Sequence, residues 1–313
     1  MEMIECNMYS NVDNYIDKIS DSTNRIKLEN SDINALQIII PNRSADLIGA
    51  INKGKTNIIP LFNIESVFNE REQFTLTPFL KLETSFKVST SFILGMIMTV
   101  IYAYKELHLV SMNHFAFKYK KANKTGGPDF IGWDKNGNVF WLEAKATISE
   151  NRVSSTRIKK AVNQLGKVKT NNRISFSNNK LVVASSFRKK IQPNSKQISL
   201  SIIDPEFKEI PDDYYSVYDL YSRITKEGLS HMELNLDNVI DDFCGNRFTI
   251  NDTSVIIFIN KNLVKLSSSK NTKTTFKEEL FDLQNIIIKK YEKIKNEVKK
   301  DSVFAYNGII IAY

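Results

Sequence analysis

Two short stretches carry residue types that can act together on a phosphodiester. One is Gly126-Gly127-Pro128-Asp129. The other is Glu143-Ala144-Lys145, at the end of the apolar run Val139-Phe140-Trp141-Leu142. Period-two alternation sets Glu143 and Lys145 on one face of a strand and Leu142 and Ala144 on the other, toward a core. Asp129 begins the strand before it. Neighbouring strands lie about 4.8 Å apart, so Asp129 and Glu143 can converge on one ion. Two carboxylates and a backbone carbonyl, for which Ala144 is the candidate, make the hard oxygen site that Mg2+ (or Mn2+) prefers. Such an ion polarises a phosphate oxygen and lowers the pKa of a bound water. Lys145 would orient that water or offset charge growing on the transition state.

These residues need a hairpin, and the sequence supplies one. Asp129–Trp133 and Val139–Thr147 read as strands, joined by the turn residues Asp134-Lys135-Asn136-Gly137-Asn138. An apolar helix is expected over Ser89–Leu107 and a strand over His114–Lys120. Arg152–Lys169 has Ile158, Ala161, Val162, Leu165 and Val168 at helical spacing. Leu181–Ser186 and Gln197–Ile203 read as two further strands. The order is that of an α/β fold with a mixed central sheet flanked by helices. Glu-x-Lys also occurs at 206–208 and 297–299, but only 143–145 combines an apolar strand, an upstream Pro-Asp and a turn between them. The competing reading is a strand-edge Glu–Lys pair beside a turn Asp.

Pro128-Asp129, Glu143-Ala144-Lys145 and the helix–strand–hairpin–helix–strand order around them resemble the PD-(D/E)xK nuclease superfamily, the restriction-endonuclease-like fold. The likeness spans roughly residues 88–203, about a third of the chain. It implies a metal-dependent phosphodiesterase acting mainly on DNA. Asp129, Glu143 and Lys145 would be catalytic, and Asp129, Glu143 and Ala144 would hold the metal. Some branches place a Gln on the helix after the second motif, which implies a site role for Gln164; the Tyr that one branch has four residues later is Val168 here. Many members carry an acid on the helix before the hairpin, and Glu83 and Glu106 are the nearest acids. The chain then divides into residues 1–87, an α/β region packing on the core; 88–203, the nuclease core; and 204–313, a helical and strand region that regulates or recognises a target.

Net charge is +8, and its distribution matters more than its size. Residues 114–200 hold 18 Lys/Arg against 4 Asp/Glu, while the segments before and after are each slightly acidic. A concentrated positive segment attracts polyanions through counterion release. Lys118, Lys120, Lys121 and Lys124 precede the first motif, and Arg188, Lys189 and Lys190 follow a later strand. Arg157, Lys160, Gln164 and Lys167 share one helical stripe. A solvated basic face is the alternative for each group. Trp133 and Trp141 are candidates for base stacking or for core packing. His108, His114 and His231 lack metal-ligand spacing, and the acids Asp237, Asp241 and Asp242 fit a solvated helix end.

The remaining features set the context. Cys6 and Cys244 form no disulfide framework, which fits a reducing, cytoplasmic setting. The opening residues lack a basic region followed by an apolar run, so no secretion signal is expected. The longest apolar stretch, Phe92–Tyr104, is about 13 residues, short of the roughly 20 that span a bilayer; a buried helix and no membrane partner are expected. Ala35–Ile40 and Asn57–Phe62 suggest short strands, Asn42–Ile51 a helix, Tyr214–Asn246 mostly helix, Ser254–Leu266 a strand, Phe276–Lys300 a long helix and Ser302–Tyr313 a strand. The expected partner is nucleic acid, double-stranded DNA first, cut by an endonuclease of defence or restriction type that works as a homodimer or as a subunit of a defence system. Repair or recombination, RNA cleavage, and an inactive nucleic-acid-binding protein are the alternatives.

Overall fold

The computed structural model describes residues 2–28, 81–114, 128–134, 136, 138–148, 150–166, 178–188, 198–205, 238–240, 243–250, 253–260, 262, 279, 282, 283, 286, 290, 303–306 and 309–312. The chain divides into two compact units, Met1–Asn30 with Pro60–Tyr214, and Ser31–Ile59 with Tyr215–Tyr313.

The first unit is an α/β structure. Its elements are β1 (Glu2–Tyr9), α1 (Val12–Asp17), β2 (Ser22–Leu28), α2 (Thr84–Lys105), β3 (Leu109–His114), β4 (Phe130–Asp134), β5 (Val139–Ile148), α3 (Ser155–Gly166), β6 (Asn178–Phe187) and β7 (Ile198–Ile203). The seven strands form one mixed sheet in the order β2-β1-β7-β6-β5-β4-β3. β5 pairs β6 in parallel, as a strand–helix–strand crossover through α3 requires, and β1 pairs β7 in parallel; the other neighbours are antiparallel. The sheet therefore draws on β1 and β2 as well as on strands within 88–203.

The expected hairpin is β4–β5. Asp134 closes its turn: Oδ1 accepts the amides of Asn136 and Asn138, each at 2.9 Å, and Oδ2 accepts the Asn138 side-chain amide at 2.8 Å. This use of an Asp side chain to bond backbone just ahead of it is what favours Asp at the first position of a turn.

Helix α2 starts at the cap Glu83, earlier than expected, and ends at Lys105. From Leu94 to Ala103 every residue is buried, so this half is apolar on all sides. It packs on β3, β5 and β6. Each fully buried Leu, Ile, Met or Val contributes about 1.5–3 kcal/mol, so α2 is a main source of stability for this unit. It is also the one described helix long and apolar enough to cross a membrane, and 61% of its apolar window is buried inside the protein. His108, at φ 52°, takes the left-handed conformation just beyond the helix end, and it is exposed. Helix α3 buries Ile158, Ala161 and Leu165.

Arg152 ties α1 to the entry of α3. Its guanidinium lies 3.9 Å from the Tyr15 ring centroid and 5.4 Å from that of Tyr9. It also donates to the Tyr15 carbonyl, and Tyr15 Oη donates to the Val153 carbonyl at 2.5 Å. Arg152→Ala should cost about 2–4 kcal/mol, the sum of a cation–π contact and a charged hydrogen bond. A thermal melt checks this; an unchanged midpoint would mean the stack is incidental.

The second unit holds a sheet of order β11-β12-β10-β9-β8, built from β8 (Asn238–Ile240), β9 (Phe243–Ile250), β10 (Thr253–Asn260), β11 (Val303–Tyr306) and β12 (Ile309–Ala312). Neighbours are antiparallel throughout. Two expectations are corrected. Residues 238–240 and 243–246 are strand, not helix: the run from Phe243 to Ile250 is rich in aromatic and β-branched residues that favour strands. The end of the chain is a hairpin of two strands rather than one, and Asn307-Gly308 between them is a strong hairpin signal. Glu279, Asp282, Leu283, Ile286 and Lys290 are helical, within the helix expected there. The strands expected at 35–40 and 57–62, the helix at 42–51 and the strand at 115–120 lie outside the described residues.

Candidate active site

The β4–β5 register pairs Phe130 with Leu142 and Ile131 with Trp141. Continued by one step, it sets Asp129 opposite Glu143, and directly opposed residues share a face with Cβ atoms about 4.5–5.5 Å apart. β4 covers β5 only as far as Leu142. Beyond that point no described strand pairs with this edge of β5, and Asp129 reaches it: its Oδ2 accepts the Ala144 amide at 2.8 Å. A strand residue points its N–H and C=O to the same side, so the Ala144 carbonyl also lies on the Asp129 side. Leu142 and Ala144 are buried, as expected.

Glu143 is fully buried, at 0% exposure. Its Oε1 accepts the Lys145 ammonium, while its Oε2 is buried without a hydrogen-bond partner. Burial pushes its carboxyl up to about 8, the negative charge of Asp129 adds to this, and Lys145 and the Asp129 amide pull the other way. Asp129 is half-buried and is also raised, by burial first, with Lys145 and the Ala144 amide opposing. Two carboxyls so placed cannot both ionise near neutrality unless a cation joins them. Lys145 supplies one positive charge from a side chain that is 18% exposed, so it can turn toward a ligand.

Among the described residues no group of three or more His, Cys, Asp or Glu side chains is placed to hold a metal ion. A divalent ion would therefore rest on Asp129, Glu143 and the Ala144 carbonyl, completed by water and phosphate oxygens, which is how Mg2+ is commonly held. The unpartnered Glu143 Oε2 fits this, since a buried carboxylate oxygen without a donor is costly.

Beside the pair lies a cleft of about 670 Å3. Its floor is β5 from Ala144 to Ile148, including Lys145. One wall is α2, with Lys87, Val88, Ser91, Phe92 and Gly95; the other is α3, with Arg157, Lys160 and Gln164. Asp129 and Glu143 do not line it, so the cleft meets the carboxylates only through Ala144 and Lys145. The expected stripe on α3 thus comes together with Lys145 at three of its four positions. Lys167, Lys118, Lys120, Lys121 and Lys124 lie outside the described residues, as do Lys189 and Lys190. Arg188, half-buried at the end of β6, does not line the cleft.

The α2 wall was not foreseen. Its signal is a stripe at i, i+4, i+8: Lys87, Ser91 and Gly95, the one cation of the early helix followed by residues small enough for close approach. Ser91 Oγ donates to the Ala146 carbonyl at 3.4 Å. Neither upstream acid reaches the cleft. Glu83 is the cap of α2, with its carboxylate accepting the Ser85 amide at 3.0 Å, and Ser85 holds that carboxyl below its usual range. Glu106 lies at the other end of α2 and acts on Cys6 and Tyr102. Trp141 is 1% exposed, so it packs in the core and cannot stack on a base; Trp133 is placed in β4 by its backbone alone. Cys6 is a buried free thiol whose burial pushes it up to about 12, which leaves it inert. His231, Asp237, Asp241 and Asp242 lie outside the described residues.

The chain is thus an α/β protein whose mixed sheet carries a carboxylate pair, one member fully buried, and a lysine beside a basic cleft. No family model, curated protein or solved structure matches it.

Proposed function

We propose that this protein is a Mg2+-dependent (or Mn2+-dependent) nuclease of the restriction-endonuclease-like fold, hydrolysing DNA as an endonuclease of defence or restriction type in the cytoplasm. The observation that carries the reading is the opposition of Asp129 and Glu143 at the edge of β5 just past its pairing with β4, with a buried, unpartnered carboxylate oxygen and Lys145 two residues on. The resemblance of Pro128-Asp129 and Glu143-Ala144-Lys145 to the superfamily motifs supports the same reading, and so does the basic cleft alongside.

Asp129, Glu143 and the Ala144 carbonyl would hold the divalent ion, which would polarise the phosphate and acidify a water. Lys145 leaves Glu143 to orient the attacking water and offset charge on the phosphate oxygens. Asp129, tied to the Ala144 amide, keeps its carboxylate aimed at the edge of β5 rather than into solvent. Arg157, Lys160 and Gln164 bind the strand being cut. No covalent intermediate is needed.

Plasmid DNA incubated with the protein and Mg2+ should be cut, and EDTA should stop it. Lys145→Ala should slow cutting by about 100- to 1,000-fold, the usual cost of losing one charge-stabilising donor. Binding without cutting, indifferent to metal, would replace this proposal with a non-catalytic nucleic-acid-binding role.

A further inference from the structure

The two walls of the cleft differ in chemistry. The α3 wall offers Arg157 and Lys160, both exposed, and Gln164. The α2 wall offers Lys87 near its rim and two exposed apolar side chains, Val88 at 66% and Phe92 at 56%. Among the described residues no Asp or Glu lines the cleft. Phe92 is left exposed on the first half of α2, as Phe86 and Val88 are, before the buried stretch from Leu94 to Ala103, and of these Phe92 is the aromatic side chain that lines the cleft. A volume near 670 Å3 falls in the range of small-ligand clefts rather than of an extended groove. A duplex would instead require an open surface that follows its grooves.

We propose that this cleft holds one unpaired DNA strand, with phosphates on Arg157 and Lys160 and a base stacked on Phe92, and that it feeds that strand to the Asp129–Glu143–Lys145 group. The occupant follows from charge complementarity and from continuity with Lys145, which belongs both to the cleft floor and to the carboxylate pair. Cations tracking a backbone beside an aromatic platform are the general means of binding single strands without reading sequence. A duplex substrate would have to open locally at the site, and nicked, flapped or frayed DNA would present the strand already unpaired. The inference rests on the nuclease reading for what happens to the strand, but not for its binding.

The test is therefore made in EDTA, where no cutting intervenes. Fluorescence anisotropy compares a labelled single-stranded 12-mer with the same sequence in a blunt hairpin duplex. The single strand should bind about 10-fold tighter or better. Phe92→Ala, an exposed substitution that should fold normally, should weaken the single strand roughly 5- to 100-fold, as the loss of one stacked base does, and leave the duplex within about 2-fold. Replacing Arg157 and Lys160 together with Ala should lower the slope of log K against log salt by about 1.4, for two single-strand phosphate contacts. Equal or tighter duplex binding, or a single-strand affinity unmoved by Phe92→Ala, overturns the proposal even if plasmid is cut. Strand-selective binding with no nuclease activity would sustain it while sinking the catalytic reading.

Discussion

Glu143→Gln should abolish cutting and, in the absence of metal, make the protein more stable. The two effects have one cause. Glu143 is fully buried, and its carboxyl holds a proton up to about pH 8, against an ordinary value of 4.5. The native state therefore keeps a proton that the unfolded chain has already released. Stability of the metal-free protein falls as pH rises between those two values, because the folded state binds more protons than the unfolded one throughout that window. Gln has the same shape and no charge to bury. Its stability without metal should be close to wild type near pH 5 and exceed it at pH 8, by an amount on the order of 4 kcal/mol at about 1.36 kcal/mol per tenfold change in proton affinity, read as a higher melting temperature. Activity should drop about 1,000-fold or more, since a Lewis-acid contribution of several kcal/mol is lost with the ion.

Metal should reverse the pattern for the native residue. A divalent ion replaces the proton shared by the two carboxyls, so binding releases protons and tightens with pH. Ligand at 100 times its dissociation constant adds about 2.7 kcal/mol. Mg2+ should raise the wild-type melting temperature clearly at pH 8 and much less at pH 5.5, and should leave Glu143→Gln nearly unmoved. If the wild-type and Gln proteins melt alike at every pH, Glu143 is not the buried acid described here. If Gln cuts DNA at a normal rate, no ion essential to catalysis sits on that carboxylate.

Much of this site is legible in the sequence because it is local. Alternation alone puts Glu143 and Lys145 on one face, and the turn residues between Asp134 and Asn138 fold the chain back so that Asp129 falls opposite Glu143. The helical stripe Arg157, Lys160 and Gln164 follows from Ile158, Ala161 and Leu165 being buried. What escaped is non-local or cooperative. β1 enters the sheet by parallel pairing with β7, from the far end of the unit, and nothing in Ile4, Cys6 and Met8 says which strand they will meet. The charge state of Glu143 depends on burial by the whole unit, not on its neighbours in the chain. Lys87, Ser91 and Phe92 become one wall of the cleft only because α2 lies close against β5, which a reading of α2 as an apolar run could not convey. β8 and the first half of β9 fall in a segment that reads as mostly helix, because its acidic residues hide a short run with strand composition.

That close approach of α2 to β5 rests on one residue. A Cβ placed on Gly95 would lie 2.9 Å from the Cβ of Ala146 and 3.5 Å from the Ala146 nitrogen and the Lys145 carbonyl carbon. Neither the Ala146 methyl nor the strand backbone can swing aside, so helix and strand must separate. Glycine in mid-helix costs roughly 1 kcal/mol against alanine, and here the contact it permits outweighs that cost. Gly95→Val should therefore destabilise the protein by about 3 kcal/mol or more, since the overlap adds to ordinary overpacking of 1–3 kcal/mol. The folded remainder should also cut poorly, because the strand pushed away is the one that carries Glu143 and Lys145. A methyl exchange separates sterics from propensity: Gly95→Ala alone should destabilise despite the better helix former, and adding Ala146→Gly should restore part of the loss, with a coupling of about 0.5–3 kcal/mol in a double-mutant cycle. Purely additive effects would mean that α2 and β5 do not meet at these two residues, and the α2 wall of the cleft would have to be withdrawn with them.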